Sequence, residues 1–158
     1  MVTAARNAAG APYLVSSRRV RGWHGHTAII SHEILAGATP DEIAAALAPL
    51  AGLEVHVVIT ARDLGRQATA HWQEEVKLGD TRSFADFERD QFRADTRPGD
   101  PARPHFWHAQ DFADAVRRWS TGVPPGRVHL VVCPAPGAPA GQLWQRFAEA
   151  AGIDPGVL

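Results

Sequence analysis

Cysteine is almost absent: Cys133 is the only one in 158 residues. A lone thiol forms neither an internal disulfide nor a thiolate metal cluster, which fits a reducing cytoplasm. Lysine is as scarce, represented by Lys77 alone, and the formal net charge is −1. The chain therefore lacks the electrostatic footprint of a nucleic-acid binder. No apolar run is long enough to span a bilayer, and the N-terminus has no apolar block of the signal-peptide kind. A membrane partner is not expected, and a cytoplasmic location is. There is no internal repeat, no Gly-Lys-Ser/Thr loop of the Walker kind and no His-Glu-x-x-His helix.

What is present is enough for one domain with a real core, with 45% apolar and 21% charged residues. Residues 1–13 are small and unpatterned and read as a loose arm, leaving 14–158 as a single domain. Three short runs rich in β-branched residues follow: TAIIS (27–31), VHVVIT (55–60) and VHLVVC (128–133). They are continuous rather than alternating, as strands covered on both faces are. Helical segments separate them. Thr39, Pro40 and Glu42 form a capping box with a proline start, and Ile43, Ala46, Leu47 and Leu50 follow on one face. After Arg62, Asp63 is a cap, and Leu64, Ala68, Trp72 and Val76 make a stripe. SFADFERDQF and QDFADAVRRWS read as further helices, the second burying Phe112, Val116 and Trp119. The last helix, near LWQRFAEAAG, turns Leu143 and Phe147 inward and stops at Gly152. Residues 94–106 read as a proline-rich loop, either an acceptor-binding loop or a connector.

Strands alternating with helices predict an α/β three-layer sandwich with a mainly parallel sheet. Ligands of such sheets bind at the carboxyl ends of the strands. Residues 30–33, 60–63 and 132–137 should therefore meet at one crevice. Arg62 would stand there beside a helix N-terminus, an arrangement that binds anions and phosphate above all. Its plain alternative is an ion pair with Asp63 or another carboxylate. His32 and Glu33 are candidate general bases; otherwise they cap a turn. His24, His26, His105 and His108 with Glu33 are material for a zinc site, but their spacing is loose, and no metal is expected. Arg66, Gln73 and Lys77 read as a solvated helix face, Trp72, Trp119 and Trp144 as core.

These features in order resemble the sulfotransferase family, whose members move a sulfuryl group from 3′-phosphoadenosine 5′-phosphosulfate to a hydroxyl or amine. VVITARDLGRQATAHWQEEVK is similar to the family's 3′-phosphate-binding strand and helix. By that resemblance Arg62 is the phosphate-binding arginine. The family's serine eight positions on corresponds to Ala70, with Thr69 one place short. IISHEILAG resembles the segment carrying the catalytic base, which makes His32 and Glu33 the matching residues. The tail, from RRWSTG through VHLVVC to GIDP, resembles the family's closing pattern, so the likeness runs from about residue 14 to 155. It implies a P-loop-like fold, the phosphosulfate nucleotide as donor co-substrate without a metal, and a small-molecule or carbohydrate acceptor.

One family feature is missing. Nothing before Ile30 reads as the first strand and glycine loop that wrap the 5′-phosphosulfate. In the family that strand lies between those matching 55–60 and 128–132, and each buried backbone group left unpaired costs about 1–3 kcal/mol. Three outcomes are open. The two strands could close up side by side; residues 1–16, with PYLVSS (12–17), could fill the gap; or the open edge could pair with another chain. A start codon set too far downstream would also explain the loss. The expectation is weak or no turnover from this chain. The alternative is a non-catalytic remnant or interaction module that forms a homo-oligomer through an exposed sheet edge.

Overall fold

The computed structural model describes residues 19–92, 97, 100 and 102–157. The N-terminal arm, the segment 12–17 and residues 94–96, 98, 99 and 101 of the proline-rich loop lie outside the described residues. The fold mixes helices with a parallel sheet of two strands, β1 (Val57–Ala61) and β2 (Val128–Val132). Both arise from the β-branched runs that predicted them. They are direct neighbours, with Val57 opposite Val128 and Ala61 opposite Val132. Of the three outcomes for the missing strand, the first is found: the strands close on each other, and the backbone groups on their facing edges pair without an intervening strand.

The expected strand at 27–31 does not form. Residues 27–32 are irregular, and Ile29 is 54% exposed. A β-branched run becomes a strand only beside a ladder partner, and none of the described residues offers one here. The chain instead enters a 3₁₀ turn at Glu33–Gly37.

From Pro40 on, the described residues form six helices about the strands: α1 (Pro40–Leu47), α2 (Leu64–Lys77), α3 (Phe84–Gln91), α4 (His105–Gln110), α5 (Phe112–Trp119) and α6 (Gln142–Ala151). The caps are those the sequence predicts. Thr39 Oγ1 accepts from the Glu42 amide while Glu42 accepts from the Thr39 amide at 2.9 Å. Asp63 caps α2 by accepting from the Arg66 amide at 2.9 Å. Gly152 ends α6 at φ 65°, and the Ile153 amide reaches back to the Ala148 carbonyl at 2.8 Å, a Schellman closure. The short helix α4 was not expected, because HFWHAQ follows a proline loop and is too brief to show a period.

Two cores hold the fold. The first joins Leu35, Ile43, Val57, Ile59, Ala115 and Trp119, clamping the 33–37 turn, α1 and α5 onto one face of β1. Arg118 locks this corner by donating to the Ala36, Ala38 and His108 carbonyls and to the Asp114 carboxylate. The second core is aromatic: Phe87 and Phe106 are fully buried between α2, α3 and α4, their rings edge to face at 6.4 Å. Gln91 ties α3 to α4 through its side chain, which accepts from the Phe106 amide, and its carbonyl, which accepts from Trp107 Nε1. Trp72 and Trp119 are core residues as expected, each indole donating to a carbonyl. Phe112 and Leu143 are not; they are 37% and 40% exposed, and Ala115 and Ala148 take the buried positions of α5 and α6. Small side chains there let the helices approach more closely than the large ones would.

Candidate functional site

The carboxyl ends of β1 and β2 meet, as the parallel topology requires. The Cys133 amide donates to the Ala61 carbonyl at 2.7 Å, extending the ladder one step. Arg62 leaves β1 here, half-buried, with Nε donating to Gln67 Oε1 at 2.6 Å. The alternative, an ion pair with Asp63, is not formed. Asp63 instead binds Arg66 through both its backbone amide and its guanidinium, and those hydrogen bonds hold the carboxyl below its usual range. Among the described residues no carboxylate pairs with Arg62.

Two further arginines reach the same end of the sheet. Arg66 Nη2 donates to the Pro134 carbonyl at 3.4 Å, and Arg146 Nη1, from α6, donates to the Val132 carbonyl at 2.6 Å. Three guanidinium groups thus gather at two strand ends against one carboxylate. Arg146 escaped the sequence reading because it lies far along the chain, on a helix judged only by its apolar stripe. Arg66 was taken for part of a solvated face; its first-turn position on α2 is the signal that places it here.

The remaining candidates are less well served. Thr69 is exposed, and its hydroxyl donates to the Gly65 carbonyl one turn back at 3.1 Å. Ala70 is half-buried and carries no donor. Adjacent helix residues point about 100° apart, so Thr69 does not stand in for a serine at position 70. His32 is exposed and caps the 33–37 turn, its Nδ1 accepting from the Ile34 amide at 3.3 Å. That bond spends one lone pair and puts the proton of the neutral ring on Nε2, where a general base would need to be bare. Glu33 is exposed on the same turn. Among the described residues no hydrogen bond or ion pair joins either group to Arg62, and Ile30 and Ser31 line a groove with His56, Val57, Val58 and His129, toward the amino-terminal end of the strands. Trp119 Nε1 and Arg118 hold this turn against α5 instead.

The large concavity lies elsewhere. A groove of about 910 Å³ runs along the opposite end of the strands, lined by His26, Ile30, Leu50, Glu54, His56 and His129 among others. None of His32, Glu33, Arg62, Thr69 or Ala70 lines it. The arginine end of the sheet is a surface patch. Among the described residues no three His, Cys, Asp or Glu side chains are grouped to hold a metal ion. No helix of the described residues is long and apolar enough to cross a membrane. Comparisons of the chain with family models, curated proteins and solved structures gave no match.

Proposed function

We propose that this chain is a sulfotransferase-like α/β domain that binds a phosphate group at the arginine end of its sheet and transfers little or no sulfuryl group by itself. The observation that carries the reading is the meeting of Arg62, Arg66 and Arg146 at the ends of two parallel strands, beside the first turn of α2. Cations at that edge attract an anion, and the α2 dipole adds to them. The donor nucleotide's 3′-phosphate is the ligand that the sequence resemblance points to. Helices α5 and α6, packed against β1 and β2, are the outer layers of the sandwich on this reading. Turnover is expected to be low for two reasons. No glycine loop precedes Ile30 to supply donors for the bridging oxygen. The candidate bases His32 and Glu33 stand exposed, with the His32 lone pair engaged.

The test is calorimetric titration of 3′-phosphoadenosine 5′-phosphate into wild type and Arg62→Ala. A charge-assisted contact is worth about 1.5–3 kcal/mol, so affinity should fall by roughly 10–150-fold. Equal heats, or none at all, remove the nucleotide claim.

A second reading has its own observation. Leu130 and Val132 of β2 are 42% and 54% exposed on a sheet of two strands. An exposed apolar edge strand is a template for pairing with another chain. On this reading the chain is an interaction module that pairs with a second copy. Light scattering after size exclusion should then give twice the monomer mass and revert to monomer in Leu130→Lys; a monomeric wild type rejects it.

A further inference from the structure

The pairing of β1 with β2 leaves the other edge of β1 unserved. The Cys133 amide donates to the Ala61 carbonyl, and in a parallel ladder the residues that face the partner strand alternate. Val57, Ile59 and Ala61 therefore turn their amides and carbonyls to β2, and Val58 turns both of its own to the far edge. Among the described residues β2 is the only strand beside β1, and no hydrogen bond reaches the Val58 backbone. Val58 is half-buried, where an unpaired peptide group is costly. The groove of about 910 Å³ lies against this edge. Val57 and Val58 both line it while pointing to opposite faces of the sheet, so the hollow follows the rim of the strand. Residues 27–31 form its other bank. They are the β-branched run that found no ladder, and among the described residues no hydrogen bond engages them.

The groove offers apolar surface to water: Trp23, Ile29 and Leu53 line it at 59%, 54% and 41% exposure. Its fixed charges have one sign. Glu54 and Glu149 line it, and no lysine or arginine does among the described residues. The Glu149 carboxylate is exposed and has no hydrogen bond or ion pair among the described residues. His56 and His129 line the groove too, but their facing nitrogens are spent on each other at 2.9 Å. We propose that this groove receives an extended peptide segment of a partner protein, which adds as a strand to β1 at Val58, covers Trp23, Ile29 and Leu53 with apolar side chains, and sets a lysine or arginine against Glu149. In strand addition the main-chain hydrogen bonds supply affinity, and the pockets for alternate side chains supply specificity. A strand has donors and acceptors on both edges, so one segment serves Val58 on one side and residues 27–31 on the other. A small apolar molecule would cover the walls and leave the Val58 amide unpaired. The volume is within the range of ligand sites, about 300–1,000 Å³. This edge is the one turned away from β2, so the proposal stands apart from both the phosphate reading and the pairing of two copies through Leu130.

The experiment selects a phage-displayed library of random dodecapeptides on the full chain and titrates the enriched sequence as a synthetic peptide. Enriched peptides should carry apolar residues at alternate positions and at least one lysine or arginine, and bind one per chain. Bound peptide should slow hydrogen exchange of the Val58 amide roughly tenfold or more and leave that of Ile59, already turned to β2, unchanged. Val58→Pro deletes only an outward-facing amide, a change that an edge strand tolerates, and should weaken binding roughly tenfold. Glu149→Lys should weaken it about fivefold, with the difference fading in high salt. The same peptide N-methylated at alternate residues, which cannot pair as a strand, should not bind. Melting curves confirm that each variant is folded. Should Val58→Pro unfold, Glu149→Lys and the exchange of Val58 in the wild type carry the test. Failure to enrich any peptide, wild-type affinity in Val58→Pro, or equal binding of the N-methylated peptide overturns the proposal. So does a Val58 amide already protected in the peptide-free protein, because the chain or a second copy would then fill the groove itself.

Discussion

Replacing Arg118 by methionine should destabilise the protein by about 3 kcal/mol, because one guanidinium satisfies four acceptors at the corner of the first core. Arg118 Nε meets Asp114 Oδ2 at 2.8 Å, and Nη2 meets the Ala36 and His108 carbonyls at 2.7 and 3.1 Å. Nη1 donates to the Ala38 carbonyl. The side chain is only 16% exposed and Asp114 14%. Removing one partner of a buried ion pair costs about 3–5 kcal/mol, chiefly through the groups left unpaired. Asp114 keeps Arg117 at 2.8 Å, which softens the loss and sets the estimate at the low end. The carbonyls of Ala36 and Ala38 have no such substitute among the described residues. For a chain of this size about 3 kcal/mol corresponds to a fall in Tm of roughly 6–12 °C. Urea unfolding should show a lower midpoint at unchanged slope. Amides of the 33–37 turn should lose exchange protection ahead of the strands, because Arg118 is what holds that turn to α4 and α5. A loss under about 1 kcal/mol, with the turn still protected, would refute the reasoning.

Thr39→Ala removes the side-chain half of the capping box at the start of α1, leaving the residue-39 amide to donate to Glu42, and should cost about 1 kcal/mol by urea midpoint; no change would mean that Pro40 and that amide suffice to set the helix start. Asp80 is held at about 2, against an ordinary 3.8, by the hydrogen bonds from the Arg82 side chain and amide. A depressed carboxyl stabilises the folded state above its unfolded value and loses that effect as pH falls through the folded one. The Tm gap between wild type and Asp80→Asn should therefore be constant from pH 7 to 5, narrow below about 4 and close near 2; a gap that persists at pH 2 contradicts the assignment.

Much of the fold was legible wherever local chemistry decides the outcome. Thr39, Asp63 and Gly152 act through their own neighbours in sequence, so their caps follow from residue type and spacing. The two runs that became strands are equally clear. TAIIS failed because its propensity matches theirs while its pairing does not, and pairing depends on residues distant in the chain. Phe112 and Leu143 failed for a related reason. Phe112 shares its face with Ala115 and Trp119 but stands at the rim, whereas Leu143 lies about 140° around α6 from Ala148, so the buried face of that helix differs from the expected one. At the candidate site Arg62 stands at a strand end, as its sequence position implied. Arg146 was hidden because its contact with the Val132 carbonyl depends on how α6 packs on β2, and the hydrogen bond of His56 with His129 because it depends on the register of β1 against β2; no local pattern reveals either.

That register also bears on what the arginine end can hold. Neighbouring strands lie about 4.8 Å apart, so an intervening strand would have put β1 and β2 about 9.6 Å apart. With them paired directly, Arg62 and Arg66 from the β1 side and Arg146 from the β2 side face a span about half as wide. One tetrahedral anion fills such a span; two anionic groups at once do not. On the proposed reading, direct pairing of the two strands narrows the edge where a donor would lay out both its phosphate and its sulfuryl group. On the proposed reading, binding without transfer would follow from the same pairing of Val57 with Val128 that joins the two strands.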